Sequence, residues 1–160
     1  NLRYLIVDLP ETLALSIPFL ADLYPEKSFV LPNEVSNNDL NDCDVAFLTV
    51  SQLDMLPDDS QDLCLNKSSF QEMTRPQIKC YLKLVQRCVK QGGYFLTSNR
   101  VEKIPCGPEG HFYQTNEEVN RFWDYPWDSR NDIIVDEICR LMRLTQLDSM
   151  ALRLERINKS

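Results

Sequence analysis

Two side chains in this sequence could move a proton during a reaction. Glu72 lies in a polar segment, Asn66–Met73, that directly follows a short apolar run at Leu63–Leu65. His111 is the single histidine, and it is therefore the only side chain whose unperturbed pKa lies near neutrality. A carboxylate or an imidazole within hydrogen-bond distance of a hydroxyl can act as its general base. Glu72 and His111 are thus the candidate catalytic residues, although Glu72 would also suit the positive end of a following helix, and His111 could be an exposed loop residue.

Two more polar residues stand where predicted strands end. Asp8 follows the apolar run Arg3–Val7 and precedes a predicted helix. Its two oxygens could accept hydrogen bonds from a pair of ligand hydroxyls, or the residue could cap the helix. Asn66 closes the strand that contains Leu63–Leu65, and it could contact a ligand or form a turn. In open α/β sheets, ligands bind outside the carboxyl ends of the strands, so these positions are candidates for a binding site.

The hydrophobic pattern predicts a single α/β domain over residues 1–160. We expect strands at 3–7, 27–31, 45–50, 62–66, 94–97, 132–142 and 150–157. Helices are expected at 11–24, kinked at Pro18, and at 76–90, begun by Thr74 and ended by Gly92-Gly93. Strands that alternate with helices form parallel sheets, so four of them, 3–7, 45–50, 62–66 and 94–97, should share one sheet, with an antiparallel pair at its far edge.

The composition of the chain indicates which kinds of binding partner to expect. The chain has 160 residues, of which 43% are hydrophobic and 26% charged, as in ordinary globular proteins. A net charge of −7 argues against a nucleic-acid partner, which needs a basic surface. No apolar run approaches the ~18 residues of a membrane span. Six scattered cysteines without metal-ligand spacing indicate reduced thiols in a cytoplasmic protein, and no metal site is expected.

An aromatic segment, Trp123-Asp124-Tyr125-Pro126-Trp127, lies in an otherwise irregular stretch at 101–131. Its aromatic faces and nearby acids have the composition of a surface that stacks against a sugar. The same residues could instead anchor a long loop on the core. Long loops are often functional, so both interpretations stay open.

Several segments, taken in order, resemble a known family. They are Arg3–Asp8, Gln52-Leu53-Asp54-Met55-Leu56-Pro57, Gln61-Asp62-Leu63-Cys64, Ser69-Phe70-Gln71-Glu72-Met73 with Tyr81, and Tyr94-Phe95 with Asn99-Arg100. Together they resemble the later part of a class I S-adenosylmethionine-dependent methyltransferase. More narrowly, they are similar to bacterial sugar O-methyltransferases. The resemblance covers nearly all of the chain.

The resemblance implies a fold and a set of roles. The fold would be a Rossmann-like, mostly parallel sheet with an antiparallel C-terminal hairpin. S-adenosylmethionine would be the cofactor, with Asp8 on its ribose, Gln52 and Leu53 beside its adenine, and Asn66 near its methionine part or the substrate. Gln52 replaces the family's usual acid and would accept the adenine amino group through its amide oxygen. The substrate would be a small molecule with a sugar-like hydroxyl, activated by Glu72 or His111.

One family feature has no counterpart in this sequence. The family's first strand and its Gly-x-Gly-x-Gly loop should precede residue 1, whereas the four glycines are at 92, 93, 107 and 110. We therefore expect a domain without its first strand and helix, inactive as an isolated chain and poor at binding the cofactor alone. The uncovered edges of strands 3–7 and 62–66 would favour homo-oligomers or another association. Two alternatives are a non-catalytic interaction module with this fold and a nicotinamide-dependent Rossmann enzyme.

Overall fold

The computed structural model describes residues 2–35, 40, 42–103, 119–140 and 149–159. These residues form two compact units, Asn1–Pro57 and Asp58–Ser160. The single domain over 1–160 stays a prediction. Each unit is described separately below.

The first unit is a three-stranded parallel sheet with one helix. Its elements are β1 (Tyr4–Asp8), α1 (Pro10–Leu23), β2 (Phe29–Val30) and β3 (Val45–Thr49). The strand order is β1-β3-β2, so β3 is central, and its residues Ala46, Phe47 and Leu48 are at most 2% exposed. Pro10 starts α1 because its fixed φ suits the first helical turn. Leu13 is the buried residue of this helix.

The second unit is built on a four-stranded mixed sheet. Its elements are β4 (Gln61–Lys67), α2 (Arg75–Cys88), β5 (Val89–Arg100), β6 (Glu102–Lys103), β7 (Asn120–Arg121), β8 (Asp132–Arg140) and β9 (Ser149–Arg156). The order is β4-β5-β9-β8, with β4 and β5 parallel and the other pairs antiparallel. The predicted antiparallel C-terminal pair is therefore confirmed. β6 and β7 form a separate short antiparallel ladder.

The prediction of one sheet that contains all four parallel strands is wrong for the described residues. β1 pairs only with β3, and β4 pairs only with β5, so each is an edge strand of its own sheet. Their apolar residues are correspondingly half-exposed rather than enclosed on both faces: Tyr4 is 51% exposed, Leu63 50% and Leu65 52%. Uncovered edges were one of the predicted outcomes, while their association with a further strand or chain stays a prediction.

The core of the second unit lies between α2 and the sheet. A predicted stripe along α2 supplies Ile78, Val85 and Cys88, all nearly enclosed. Phe95 from β5 and Phe70 from the loop after β4 pack with them. The N-cap is the predicted one, since the Thr74 backbone N–H donates to Gln77 Oε1 at 2.8 Å.

α2 ends earlier than its sequence pattern predicts. The helix stops at Cys88, and Val89 is already extended and paired with Gln61 of β4. Gly92 has a φ of +77°, but it lies in β5 and does not terminate the helix. A Cβ on Gly93 would lie only 2.9 Å from the Asp62 carbonyl oxygen, so glycine there permits a close approach of β5 to β4. The glycine pair thus lies where the register between β4 and β5 shifts, and it does not end the helix.

Candidate functional site

In the first unit, Asp8 lies at the carboxyl end of β1, opposite Thr49 at the carboxyl end of β3. Its Oδ1 accepts a hydrogen bond from the Leu9 backbone N–H at 2.8 Å. Among the described residues, its Oδ2 has no hydrogen-bond partner. The side chain is half-buried, so this carboxylate is held in position and keeps an acceptor oxygen for another group.

Gln52 is brought close to the same strand end by a capping interaction. Its Oε1 accepts hydrogen bonds from the Thr49 backbone N–H at 2.9 Å and from the Thr49 hydroxyl at 3.0 Å. Its Nε2 donates to the Pro32 carbonyl at 2.7 Å. An amide oxygen has two lone pairs, and both are used here. In this arrangement, one amide hydrogen of Gln52 remains for a ligand, so the side chain can act as a donor more readily than as the acceptor that the sequence suggested.

Leu53 follows Gln52 in a short 3₁₀ turn at Val50–Met55. The residue is half-buried, and its carbonyl accepts a hydrogen bond from the Leu56 N–H at 3.2 Å. Asp8, Gln52 and Leu53 are therefore gathered near the carboxyl ends of two adjacent strands. Such an end of a parallel sheet is a common place for a ligand.

In the second unit, Asn66 lies at the carboxyl end of β4 within a network of buried amides. Asn99 Nδ2 donates to Asn66 Oδ1 and to Thr97 Oγ1, each at 2.9 Å. Asn66 Nδ2 in turn donates to the Ser69 hydroxyl. Thr97 and Asn99 are fully buried, so the bonds of these two residues satisfy polar groups that water cannot reach.

Gln71 extends this network to Glu72. The Gln71 backbone N–H donates to Asn99 Oδ1 at 3.2 Å, and its side-chain oxygen accepts from the Arg100 N–H at 2.7 Å. Its Nε2 donates to Glu72 Oε1 at 3.1 Å. The loop after β4 is consequently fixed to the end of β5 by side chains.

No functional role was predicted for Thr97 or Gln71. One signal was available for Thr97, because parallel pairing of the two predicted strands brings it opposite Asn66, and Asn99 is on the same face of β5. No comparable signal exists for Gln71, whose bonds depend on the course of the loop.

Glu72 forms an ion pair with Lys103, whose side chain is 20% exposed, while that of Glu72 is 37% exposed. The Lys103 ammonium contacts Oε1, the same oxygen that accepts from Gln71. Burial, and secondarily the charge of Glu72, raise the pKa of Tyr125 to about 12. A tyrosine with an ordinary pKa of about 10 is already neutral at physiological pH, and the raised pKa of Tyr125 acts in the same direction. Glu72 is therefore the candidate base among these groups.

The aromatic segment contacts the core through Tyr125 and Trp127. Tyr125, and Phe122 just before the segment, are at most 5% exposed, and Tyr125 packs edge-on against Phe70 with a centroid separation of 6.2 Å. Trp123, at 40% exposed, donates from Nε1 to Asp136 at 3.0 Å. The contacts of Tyr125 agree with a role in anchoring the segment, whereas the Trp123 ring stays partly exposed.

The remaining predictions concern His111, metals and membranes. His111 lies outside the described residues. Within the described ranges, no cluster of three or more His, Cys, Asp and Glu side chains has the arrangement of a metal site. In the same ranges, no helix has the length and apolar character needed to cross a bilayer.

Solved structures with a similar fold are known, although no protein-family model matches the sequence and no curated protein is similar to it. TehB from Haemophilus influenzae superposes with a TM-score of 0.57 at 15% identity, over 98% of this chain and 50% of TehB. A SAM-dependent methyltransferase from Methanosarcina mazei has a TM-score of 0.55 at 11% identity, over 99% and 93% of the two chains. The N-methyltransferase NodS from Bradyrhizobium japonicum has a TM-score of 0.53 at 12% identity, over 99% and 86%.

These similarities establish a methyltransferase-like α/β fold with a mixed sheet. The chain spans half the length of TehB and most of the length of the other two proteins. At 11–15% identity, the likeness is one of fold.

Proposed function

We propose that the protein is an S-adenosylmethionine-dependent methyltransferase that acts on a hydroxyl of a small, sugar-like molecule. The observation that carries the proposal is the position of polar side chains at carboxyl strand ends in a fold shared with methyltransferases. Asp8 is at one such end, and Asn66 with Glu72 follows another. Sheets of this kind bind their ligands at these ends.

The cofactor would supply an electrophilic methyl group on a sulfonium. Asp8 would bind its ribose hydroxyls through the carboxylate. Leu53 would pack on the adenine, and Gln52 would donate its remaining amide hydrogen to a ring nitrogen. Asn66 would contact the methionine part or the acceptor. Because methyl transfer is an in-line displacement, most of the rate gain would come from positioning.

Glu72 would act as the general base on the acceptor hydroxyl, with Lys103 keeping its carboxylate in place. His111 is the alternative base. Fixing of the preceding loop by Gln71 and Asn99 would limit the freedom of Glu72, which favours a defined geometry for proton transfer.

A non-catalytic module with the same fold is the second candidate. The hydrogen bonds of Gln52 favour this second candidate. Gln52 Oε1 already accepts two hydrogen bonds from Thr49, so it is not available to a ligand as the oxygen of the family's usual acid would be. The two candidates differ in what they bind, so binding measurements separate them.

The test compares the full-length protein, including any residues that precede residue 1, with two pairs of variants. Asp8→Ala should weaken S-adenosylmethionine binding roughly ten- to hundredfold, since a hydrogen bond to a charged group contributes about 1.5–3 kcal/mol. Asp22→Ala, on the exposed part of α1, should leave binding unchanged. Equal effects of the two variants would remove the ribose role from Asp8.

Glu72→Gln keeps the shape of the side chain and removes its basicity. It should leave cofactor binding unchanged and slow transfer of a labelled methyl group to sugars and nucleotide sugars by about 10²–10⁴-fold. Glu26→Gln, at an exposed position of the first unit, is the matched control. Cofactor binding without methylation of any hydroxyl acceptor would contradict the proposed substrate class, and unchanged turnover in Glu72→Gln would exclude Glu72 as the base.

A further inference from the structure

A basic stripe runs along α2, away from the candidate functional site. Arg75, Lys79, Lys83 and Arg87 repeat every four residues, and the helix contains no acidic residue. Residues four apart are neighbours on a helix surface, and like charges at this spacing repel each other. The arrangement is therefore unfavourable unless anions face it.

Only the ends of this basic stripe have acidic partners among the described residues. Arg75 lies 3.9 Å from Asp124, and Arg87 lies 2.6 Å from Asp58. Lys79 and Lys83, in the middle of the stripe, have neither an ion pair nor a hydrogen bond with any described residue. Two adjacent ammonium groups are thus left for a ligand or for solvent.

Three residues of the basic stripe, Lys79, Lys83 and Arg87, line a cavity of about 630 Å³ that lies entirely within the second unit. This volume is in the range of small-molecule sites. The apolar lining of the cavity comes from Leu82, Val85, Phe95, Pro126 and Trp127. Neither Asn66 nor Glu72 lines the cavity, so it is separate from the site described above.

Trp127 is held in a fixed orientation at this cavity. The Arg153 guanidinium lies 4.5 Å from the centroid of its ring, and its Nε1 donates to the Phe122 carbonyl at 3.1 Å. Arg153 is itself held by Glu155 at 2.7 Å. A preorganised aromatic side chain contributes contact area at little entropic cost, as in sites that bind flat rings.

The charge of the lining favours an anion, in a protein whose net charge is negative. Its cationic residues are Lys79, Lys83, Arg87, Arg130 and Lys159, against the two acids Asp128 and Glu155. Both acids are paired, Asp128 with Arg130 at 2.6 Å and Glu155 with Arg153. Arg87 and Lys159 are paired as well, with Asp58 and Asp59. The charges of Lys79 and Lys83 therefore remain, and they make the local charge opposite to that of the whole chain, which concentrates anions at the cavity.

We propose that this cavity is a second ligand site, which binds a small phosphate monoester that carries a flat ring. The phosphate contacts the ammonium groups of Lys79 and Lys83, one helical turn apart, and the ring packs against Trp127 and Pro126. A phosphate monoester fits better than a carboxylate, because two adjacent cations match its two negative charges. The proposal does not depend on methyltransferase activity.

The test uses phenyl phosphate as the probe, with phenol and inorganic phosphate as its separate halves. In the full chain with Trp123→Phe, Trp127 is the sole tryptophan and reports on the cavity. Phenyl phosphate should change its fluorescence saturably, and each half alone should bind at least about tenfold more weakly. Calorimetric titration of the unmodified chain provides a second measurement that does not depend on the Trp123 substitution.

Two double variants that remove the same charge, one inside the cavity and one outside it, show where phenyl phosphate binds. The double variant Lys79→Gln/Lys83→Gln should weaken phenyl phosphate binding about tenfold or more, because it removes two charge-assisted contacts. Lys67→Gln/Lys90→Gln removes the same charge outside the cavity and should have little effect. Binding should also weaken as salt is raised, since the lysines are exposed. The proposal is overturned if no saturable binding occurs at millimolar probe, or if the two double variants bind equally.

Discussion

Replacement of Gln71 by alanine tests the network that holds the loop between Asn66 and Glu72. The side chain is 6% exposed, accepts a hydrogen bond from the Arg100 N–H at 2.7 Å and donates to Glu72 at 3.1 Å. In Gln71→Ala, the half-buried Arg100 N–H loses its acceptor. Loss of these two part-buried hydrogen bonds, one of them to the Glu72 carboxylate, should lower the free energy of unfolding by about 2–3 kcal/mol.

Gln91 provides a closely matched control. Its side chain accepts from the Lys159 N–H at 2.7 Å and donates to Asn158 at 3.3 Å, the same pattern as at Gln71. Gln91 is exposed, so water can replace both bonds, and Gln91→Ala should change stability by no more than about 0.5 kcal/mol. The two variants therefore differ mainly in burial.

Denaturant unfolding followed by tryptophan fluorescence measures both variants. Both tryptophans, Trp123 and Trp127, lie in the second unit, so the signal reports on the unit that contains the network. A loss below about 0.5 kcal/mol in Gln71→Ala, or an equal loss in the two variants, would refute the reasoning that burial makes this network stabilising.

Two further predictions concern titratable groups. Cys80 is exposed and should react with a thiol reagent before the other three cysteines whose burial the structure describes. Burial, with a smaller effect of Cys88, raises the pKa of Cys64 from 9.0 to about 11, so about a hundredfold less thiolate forms there. Labelling of Cys64 at pH 8, followed by mass mapping, should be correspondingly slow. Labelling of Cys64 as fast as Cys80 would contradict this. Hydrogen bonds from Ser28 lower the pKa of Asp44 below 3.8, so its stabilisation of the first unit is present at neutral pH and is lost as pH falls through the folded-state pKa. Asp44→Asn should therefore destabilise that unit at pH 7 and progressively less below pH 3.8, and a penalty that stays constant with pH would contradict the assignment.

The order and type of the main elements could be predicted from the sequence. The apolar run at β1 and the amphipathic stripe of α2 each carry a local signal for their structure, and β8 and β9 were predicted as two strands joined by a polar turn. Their boundaries were less predictable. α2 stops at Cys88 because Val89 pairs with Gln61, a long-range contact that no local pattern contains.

Sheet membership could not be predicted from these local patterns. A short apolar strand has the same composition at an edge as in the centre of a parallel sheet, so Leu63 and Leu65 gave no sign of their exposure. The strand ends at Asp8 and Asn66 were located correctly, since each follows an apolar run directly. The roles of those two residues stay predictions.

The side-chain network was predicted least. Gln71 binds Arg100, and Asn99 binds Asn66, across 29 and 33 residues of sequence. Such pairs depend on the register of β4 against β5. The hydrogen bond that Gln52 Oε1 accepts from the Thr49 N–H was also missed, although a threonine followed three residues later by glutamine is a local pattern that indicates such a capping box.

Calorimetric titration of the full-length protein with S-adenosylmethionine is the decisive test of the proposed methyltransferase, with a nicotinamide dinucleotide titrated under the same conditions for comparison. We expect saturable binding of one S-adenosylmethionine per chain, and no comparable binding of the dinucleotide. Absence of saturable S-adenosylmethionine binding would contradict the proposed methyltransferase and favour the non-catalytic module, and preferential binding of the dinucleotide would indicate a nicotinamide-dependent enzyme instead.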